Sequence, residues 1–224
     1  MSGSKGVLRA GLKDILAQNL GALAGVQGSI VSAAENREMR TILVTSSNRG
    51  EGKTVTATGM AYALANHGNA QVLLIDGNFA APTLHEHFSI PRQPGLSEFL
   101  TTDIGLEDVA CPTDSPLLMV MPNGDSRLTL FDITRAQPFV QRLTSLKGKF
   151  DYVIWDGSAV FSSSDASIVA SLFDGVLLVV ECERTRWEVV QDAKERLAKA
   201  GGNILGVALN RRRYYIPKAI YAGG

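Results

Sequence analysis

The sequence predicts a doubly wound α/β fold, a mostly parallel sheet with helices on both faces. Three observations carry that expectation. An apolar β-type run at residues 41–45 opens into a loop ending in Gly52-Lys53-Thr54, and a helical pattern follows over residues 55–66. Further apolar runs at 71–76, 150–156 and 174–180 lack alternation, as strands buried on both faces do. Helical patterns stand between them, so strand and helix alternate along the chain.

Size and composition narrow the class. A chain of 224 residues suits one α/β domain with a substantial core, and its 45% hydrophobic content argues against disorder. Lys+Arg and Asp+Glu both number 22, so the neutral balance gives no case for nucleic acid as a partner. Cys111 and Cys182 fit no metal-ligand spacing and read as buried free thiols of a reducing compartment. No secretory h-region and no run of membrane-spanning length is present, so the expected location is the cytoplasm, with docking on a membrane partner allowed.

Taken in order, residues 1–36 form an N-terminal extension. Leu8, Leu12, Ile15, Leu16, Leu20 and Leu23 make a stripe of helical period that would dock a partner or pack on its own domain. Residues 37–213 form the main domain. After the first strand and helix, the run at 71–76 ends in Asp76. Open α/β sheets bind ligands at that strand edge, although Asp76 would also serve as the cap of a following helix. Residues 77–116 mix turns with short helical pieces at 96–100 and 104–109. A third strand is expected at 117–121, stopped by Pro122-Asn123-Gly124, and a helix from Phe139 to Gly148. The strand at 150–156 repeats the earlier design and ends in Asp156. Ser162, Ser163, Ser164 and Asp165 signal a helix start. A strand at 174–180, an amphipathic helix at 187–200 and a last strand at 204–210 follow. Residues 214–224 are a tail with Tyr214, Tyr215 and Tyr221.

The loop between the first strand and its helix carries the chemistry. Strand, Gly-containing loop, Gly-Lys-Thr and helix are the parts of a phosphate-binding P-loop. Its backbone N–H groups and the positive helix end converge on an anion. Lys53 adds a full charge for the β- and γ-phosphates, and the Thr54 hydroxyl is placed to ligate Mg²⁺. The nucleotide-binding set is therefore Ser47, Asn48, Arg49, Gly50, Glu51, Gly52, Lys53, Thr54 and Val55, with Ser47 where ordinary P-loops open with Gly. Asp156, a second strand-ending acid downstream of the loop, stands where P-loop proteins hold Mg²⁺.

These residues resemble the bacterial tyrosine autokinases of capsular and exopolysaccharide export, within the MinD/ParA-like P-loop class. Thr45-Ser-Ser-Asn-Arg-Gly-Glu-Gly-Lys-Thr54 is similar to that family's loop, which also opens with Ser. Val72 to Pro82 looks like its second motif, and Asp151-Tyr-Val-Ile-Trp-Asp156 like its metal-binding strand. Pro94 to Leu100, Ser164-Asp-Ala166, residues 174–180 and Gly206 to Asn210 follow in family order. The resemblance implies ATP and Mg²⁺ as cofactors, with Thr54, Asp76 and Asp156 at the metal and Lys53 and Asp76 in catalysis. It also implies Asn210 at the adenine and the tail tyrosines as phosphoacceptors. The implied partner is the cytoplasmic segment of a membrane polysaccharide co-polymerase, a chain-length regulator, and a homo-oligomer is possible for the family.

The departures are specific. The second acid of the family's Asp-x-Asp motif, a candidate base for the tyrosine hydroxyl, is Asn78, and an amide cannot accept that proton; losing a general base costs roughly 10²–10⁴-fold. The usual Arg pair is Ala80-Ala81, and the Thr-Pro-Pro after the metal Asp is Gly157-Ser158-Ala159. The ring-forming Glu-x-x-Arg-x-x-Arg helix has Gly21, Ala24 and Gln27 as its nearest positions. Three readings stay open: an autokinase-like enzyme, a nucleotide-gated regulator of polysaccharide export with little or no kinase activity, and a MinD/ParA-type ATPase.

Overall fold

The computed structural model describes residues 5–19, 21, 25, 28, 39–125, 129, 130, 134 and 139–211. Its centre is a 7-stranded sheet. The strands are β1 (Thr41–Ser46), β2 (Val72–Gly77), β3 (Cys111–Pro112), β4 (Leu118–Met121), β5 (Tyr152–Gly157), β6 (Gly175–Glu181) and β7 (Ile204–Asn210). They lie in the order β3-β4-β2-β5-β1-β6-β7, and only the β3–β4 pairing is antiparallel. The α-helices bounded within the described residues are α1 (Ala10–Gln18), α2 (Lys53–Asn66), α3 (Leu84–His87), α4 (Leu96–Thr101), α5 (Leu106–Val109), α6 (Phe139–Lys147), α7 (Asp165–Val169) and α8 (Trp187–Lys199).

The apolar runs lack alternation because both faces of the sheet are covered. On β1, Ile42 and Val44 join Met60 and Leu64 of α2 on one face. Leu43, between them, joins Leu143 of α6 and Leu197 of α8 on the other. The doubly wound, mostly parallel architecture is as the sequence led us to expect.

The segment before β1 also packs on the domain. Val7 and Arg9 donate their N–H groups to Phe88 and His87 carbonyls at 2.9 Å each. Leu8, Leu12 and Leu16 then enter the cluster that holds Met60, Leu64 and Phe88. Of the two roles open for the stripe, packing is the one these residues show. Ile15 is exposed; Leu20 and Leu23 lie outside the described residues.

Two elements escape the sequence pattern. α3 lies in a stretch expected to hold turns, and β3 is a two-residue edge strand. Pro112 lacks an N–H, which an edge position tolerates. The cysteines are free, as expected, but only half-buried rather than buried. Among the described residues, no helix is long and apolar enough to cross a membrane.

Candidate functional site

Crossing from β1 to β2 over the intervening β5 brings three chain segments to one edge of the sheet. The loop after β1 lies on one side, Asp156 ends β5 in the middle, and Asp76 ends β2 on the other. Asp76 and Asp156 are register partners and both are fully buried.

The loop curls through Gly50 and Gly52 at φ of 85° and 90°, values that a side chain disfavours. Asn210 braces it from behind. Its Nδ2 donates to the Glu51 carbonyl at 2.9 Å and its Oδ1 accepts from the Arg211 N–H at 2.9 Å. A Cβ on Gly52 would stand 1.9 Å from that amide nitrogen, so only glycine fits. Asn210, assigned to the adenine by resemblance, thus has its amide nitrogen engaged at the loop and its oxygen at its own neighbour Arg211.

Glu51 is buried and shapes the loop from within. Its Oε2 accepts from the Asn48 N–H at 3.1 Å, and its Oε1 accepts from the Thr185 hydroxyl after β6. Sequence reading counted Glu51 among the loop residues without this role, which depends on a partner 134 positions away. Ser47 is buried with no partner for its hydroxyl, while its carbonyl accepts from the Phe161 N–H at 3.1 Å. Val55 lies half-buried in the first turn of α2.

A cleft of about 180 Å³ opens over the loop, walled by Arg49, Gly50, Lys53 and Thr54 and, opposite, by Asn78, Ala81 and Ser158. Whole-ligand pockets run to roughly 300–1,000 Å³, so the enclosed part has the scale of phosphate groups. The Thr54 hydroxyl donates to Asp156 Oδ2 at 2.7 Å, and Asp156 Oδ1 is buried with no hydrogen-bond partner. A buried carboxylate oxygen without a partner is unfavourable. Beside a P-loop hydroxyl, it fits an oxygen-ligated divalent cation.

Asp76 is more fully engaged. Its Oδ2 accepts from the Thr83 and Leu84 N–H groups at 2.8 Å each, and its Oδ1 from the Asn78 N–H at 3.3 Å. These bonds give the helix-capping role, on α3, while register keeps Asp76 beside Asp156. Burial, with Asp156 next to it, pushes Asp76 up to about 7 against the pull of three N–H donors. Burial also pushes Asp156 up to about 6, opposed by the Lys53 charge and the Thr54 hydrogen bond. Both acids are thus poised for a positive charge to ionise them.

Asn78 sits in a network of its own. Its Nδ2 donates to the Ala81 carbonyl at 2.8 Å, and the Ser158 hydroxyl lies 3.0 Å from its Oδ1 and 3.1 Å from Asp165 Oδ2. Two departures from the family pattern, at 78 and 158, are therefore hydrogen-bond partners. Sequence reading treated Asp165 as part of a helix start and missed this contact; no local signal carries it. Tyr214, Tyr215 and Tyr221, and the ring-helix positions Ala24 and Gln27, lie outside the described residues.

A Gly-Lys-Thr loop at the C-terminal end of a buried parallel strand, tied through its Thr to a strand-ending Asp, defines a P-loop nucleotide-binding fold. Residues 39–200 match the family described as AAA domain. The chain belongs to that P-loop family and, within it, to the group of the bacterial tyrosine kinases. It is 32% identical over 176 residues to tyrosine-protein kinase CpsD of Streptococcus agalactiae, covering 78% of this chain and 76% of that protein. The solved chimerical protein CapA2B2 superimposes with a TM-score of 0.80 at 27% identity, covering 86% of this chain and 84% of the other. The septum site-determining protein MinD of Pyrococcus horikoshii, solved with Mg-ADP, gives 0.64 at 26% identity, covering 82% and 76%.

Proposed function

We propose that this chain binds ATP with Mg²⁺ in the cleft over residues 47–54 and serves polysaccharide synthesis and export. It would work on the cytoplasmic segment of a membrane polysaccharide co-polymerase, the partner the family resemblance implies. The observation that carries the reading is the Thr54–Asp156 pair, with its orphaned carboxylate oxygen beside the Gly-Lys-Thr loop. The loop amides and Lys53 hold the phosphates, and Thr54 and Asp156 hold the metal. Mg²⁺, when bound, neutralises phosphate charge and lowers the barrier to phosphoryl transfer. Asp76 contributes negative charge beside Asp156 while fixing the turn into α3.

Transfer to a tyrosine hydroxyl is the reaction the relatives' name suggests, with Tyr214, Tyr215 and Tyr221 as acceptors. Asn78 favours a second reading, a nucleotide-gated regulator, because its amide is neutral and already committed to Ala81. Phosphopeptide mapping of residues 211–224 from native cells, beside Lys53→Ala, separates the two. Phosphotyrosine that disappears in the variant supports the kinase, and a clean tail in both supports the regulator.

A further inference from the structure

We infer that Asp165, acting through the Ser158 hydroxyl, provides the proton-accepting route that the amide at position 78 cannot. The inference rests on the phosphoryl-transfer reading above and extends to water as the acceptor.

The geometry fixes the direction of each contact. The Ala81 carbonyl only accepts, so the nitrogen of the Asn78 amide faces it at 2.8 Å and Oδ1 faces Ser158. The Ser158 hydroxyl has one proton and two acceptors, Asn78 Oδ1 at 3.0 Å and Asp165 Oδ2 at 3.1 Å. The hydroxyl proton is shared between the two, the carboxylate being the stronger acceptor; with the proton on the Asp165 side, the oxygen keeps lone pairs to accept another. Ser158 also lines the cleft together with Lys53 and Thr54. It is held rigidly: it is buried, and its carbonyl accepts from the Thr45 hydroxyl at 2.6 Å. Asp165 is half-buried, so water reaches it to carry the proton away.

The step balances. The oxygen of the attacking hydroxyl, from tyrosine or water, forms a bond to the γ-phosphorus of ATP. The bond from that phosphorus to its bridging oxygen breaks, and the electron pair leaves with ADP. The proton of the attacking hydroxyl passes to Ser158 Oγ as the proton of Ser158 passes to Asp165 Oδ2. Ser158, in the cleft wall, takes the proton directly, and Asp165 is a positioning residue and proton sink behind it.

The test uses the full chain with ATP and Mg²⁺, measuring ADP formation, tail phosphotyrosine and ATP affinity side by side. Asp165→Asn keeps size and hydrogen-bonding capacity, and Ser158→Ala removes the hydroxyl. Each is expected to slow turnover about 10²-fold, the low end for a lost general base, at unchanged ATP affinity. The double variant should be no slower than either single one, because both break the same route. Wild-type turnover in Asp165→Asn, additive losses in the double variant, or a parallel loss of ATP affinity would each overturn the relay. A wild type that binds ATP and never turns it over overturns the relay but leaves the binding assignment standing. Failure to bind ATP at all overturns both.

Discussion

The Thr54 hydroxyl and the Asp156 carboxylate, 102 residues apart in the chain, meet at 2.7 Å. This hydrogen bond joins the first turn of the loop helix to the central strand and orients one carboxylate oxygen. The second oxygen has no partner. Asp156→Asn preserves the shape and removes the charge. A charge-assisted contact is worth about 1.5–3 kcal/mol, or roughly 10–100-fold in affinity. ATP affinity measured with Mg²⁺ should therefore fall by about that factor, and affinity measured without Mg²⁺ should change little. Calorimetric titration in both conditions reads the difference.

Asp76 and Asp156 give the protein a pH signature. Both are pushed above the ordinary carboxylate value of 3.8, to about 7 and about 6. Between about pH 4 and 7 the folded state therefore holds more protons than the unfolded state, and stability falls as pH rises. Asp114, beside Lys13 and Tyr62, and Asp174, beside Lys147, are held below their ordinary value. Their contribution is lost only as pH falls through the acid range below about 4; His85 and His87, lowered by burial, act inside the window with the opposite sign, so the comparison with Asp76→Asn is what isolates the buried pair. Thermal unfolding from pH 4 to 8 should show a declining midpoint, flattened in Asp76→Asn. A slope unchanged by that substitution would assign the dependence elsewhere.

Much of this was legible in the chain. Buried parallel strands announce themselves as apolar runs without alternation, and residues 71–76 and 150–156 each end in an acid. The loop at 47–54 is a local pattern, so its chemistry reads directly. What escaped depends on residues distant in sequence. A cap was one of the two roles open to Asp76, but the helix it caps, α3, begins only after a turn seven residues on and has no pattern of its own. Glu51 meets Thr185 only because β6 lies beside β1 in the sheet. Ser158 and Asn78 meet only because β2 and β5 are register neighbours. The edge strand β3 was missed because two residues offer no periodicity.

Asn78 fits its place as an amide. Its nitrogen faces the Ala81 carbonyl at 2.8 Å, a contact that a carboxylate oxygen would turn into repulsion. Asn78→Asp also adds a charge near two buried acids. The substitution should lower stability by about 1–3 kcal/mol, the cost of a buried polar group losing its partner, as read by urea unfolding. Equal stability would show that the turn at residues 78–81 adapts.

Gly77 and Trp155 form a second matched pair. A Cβ on Gly77 would stand 1.8 Å from the Trp155 ring nitrogen, and Trp155 is fully buried. Overfilling a packed core typically costs about 1–3 kcal/mol. Gly77→Ala should lower stability by that amount and shift the fluorescence of Trp155, since the ring already packs edge-on against Phe173 and has little room to move. An unperturbed spectrum would contradict this packing.

The central claim is that the loop at residues 47–54 is an ATP–Mg²⁺ site, and titration calorimetry of ATP–Mg²⁺ into wild type and Lys53→Ala tests it most directly. Lys53 is the charged side chain beside the loop helix that lowers the Asp156 carboxyl. Removing it takes away the charge that holds the phosphates. Saturable binding to the wild type that vanishes in the variant, with both proteins unfolding at similar temperatures, is the result predicted. Equal affinity in the two proteins would contradict the assignment.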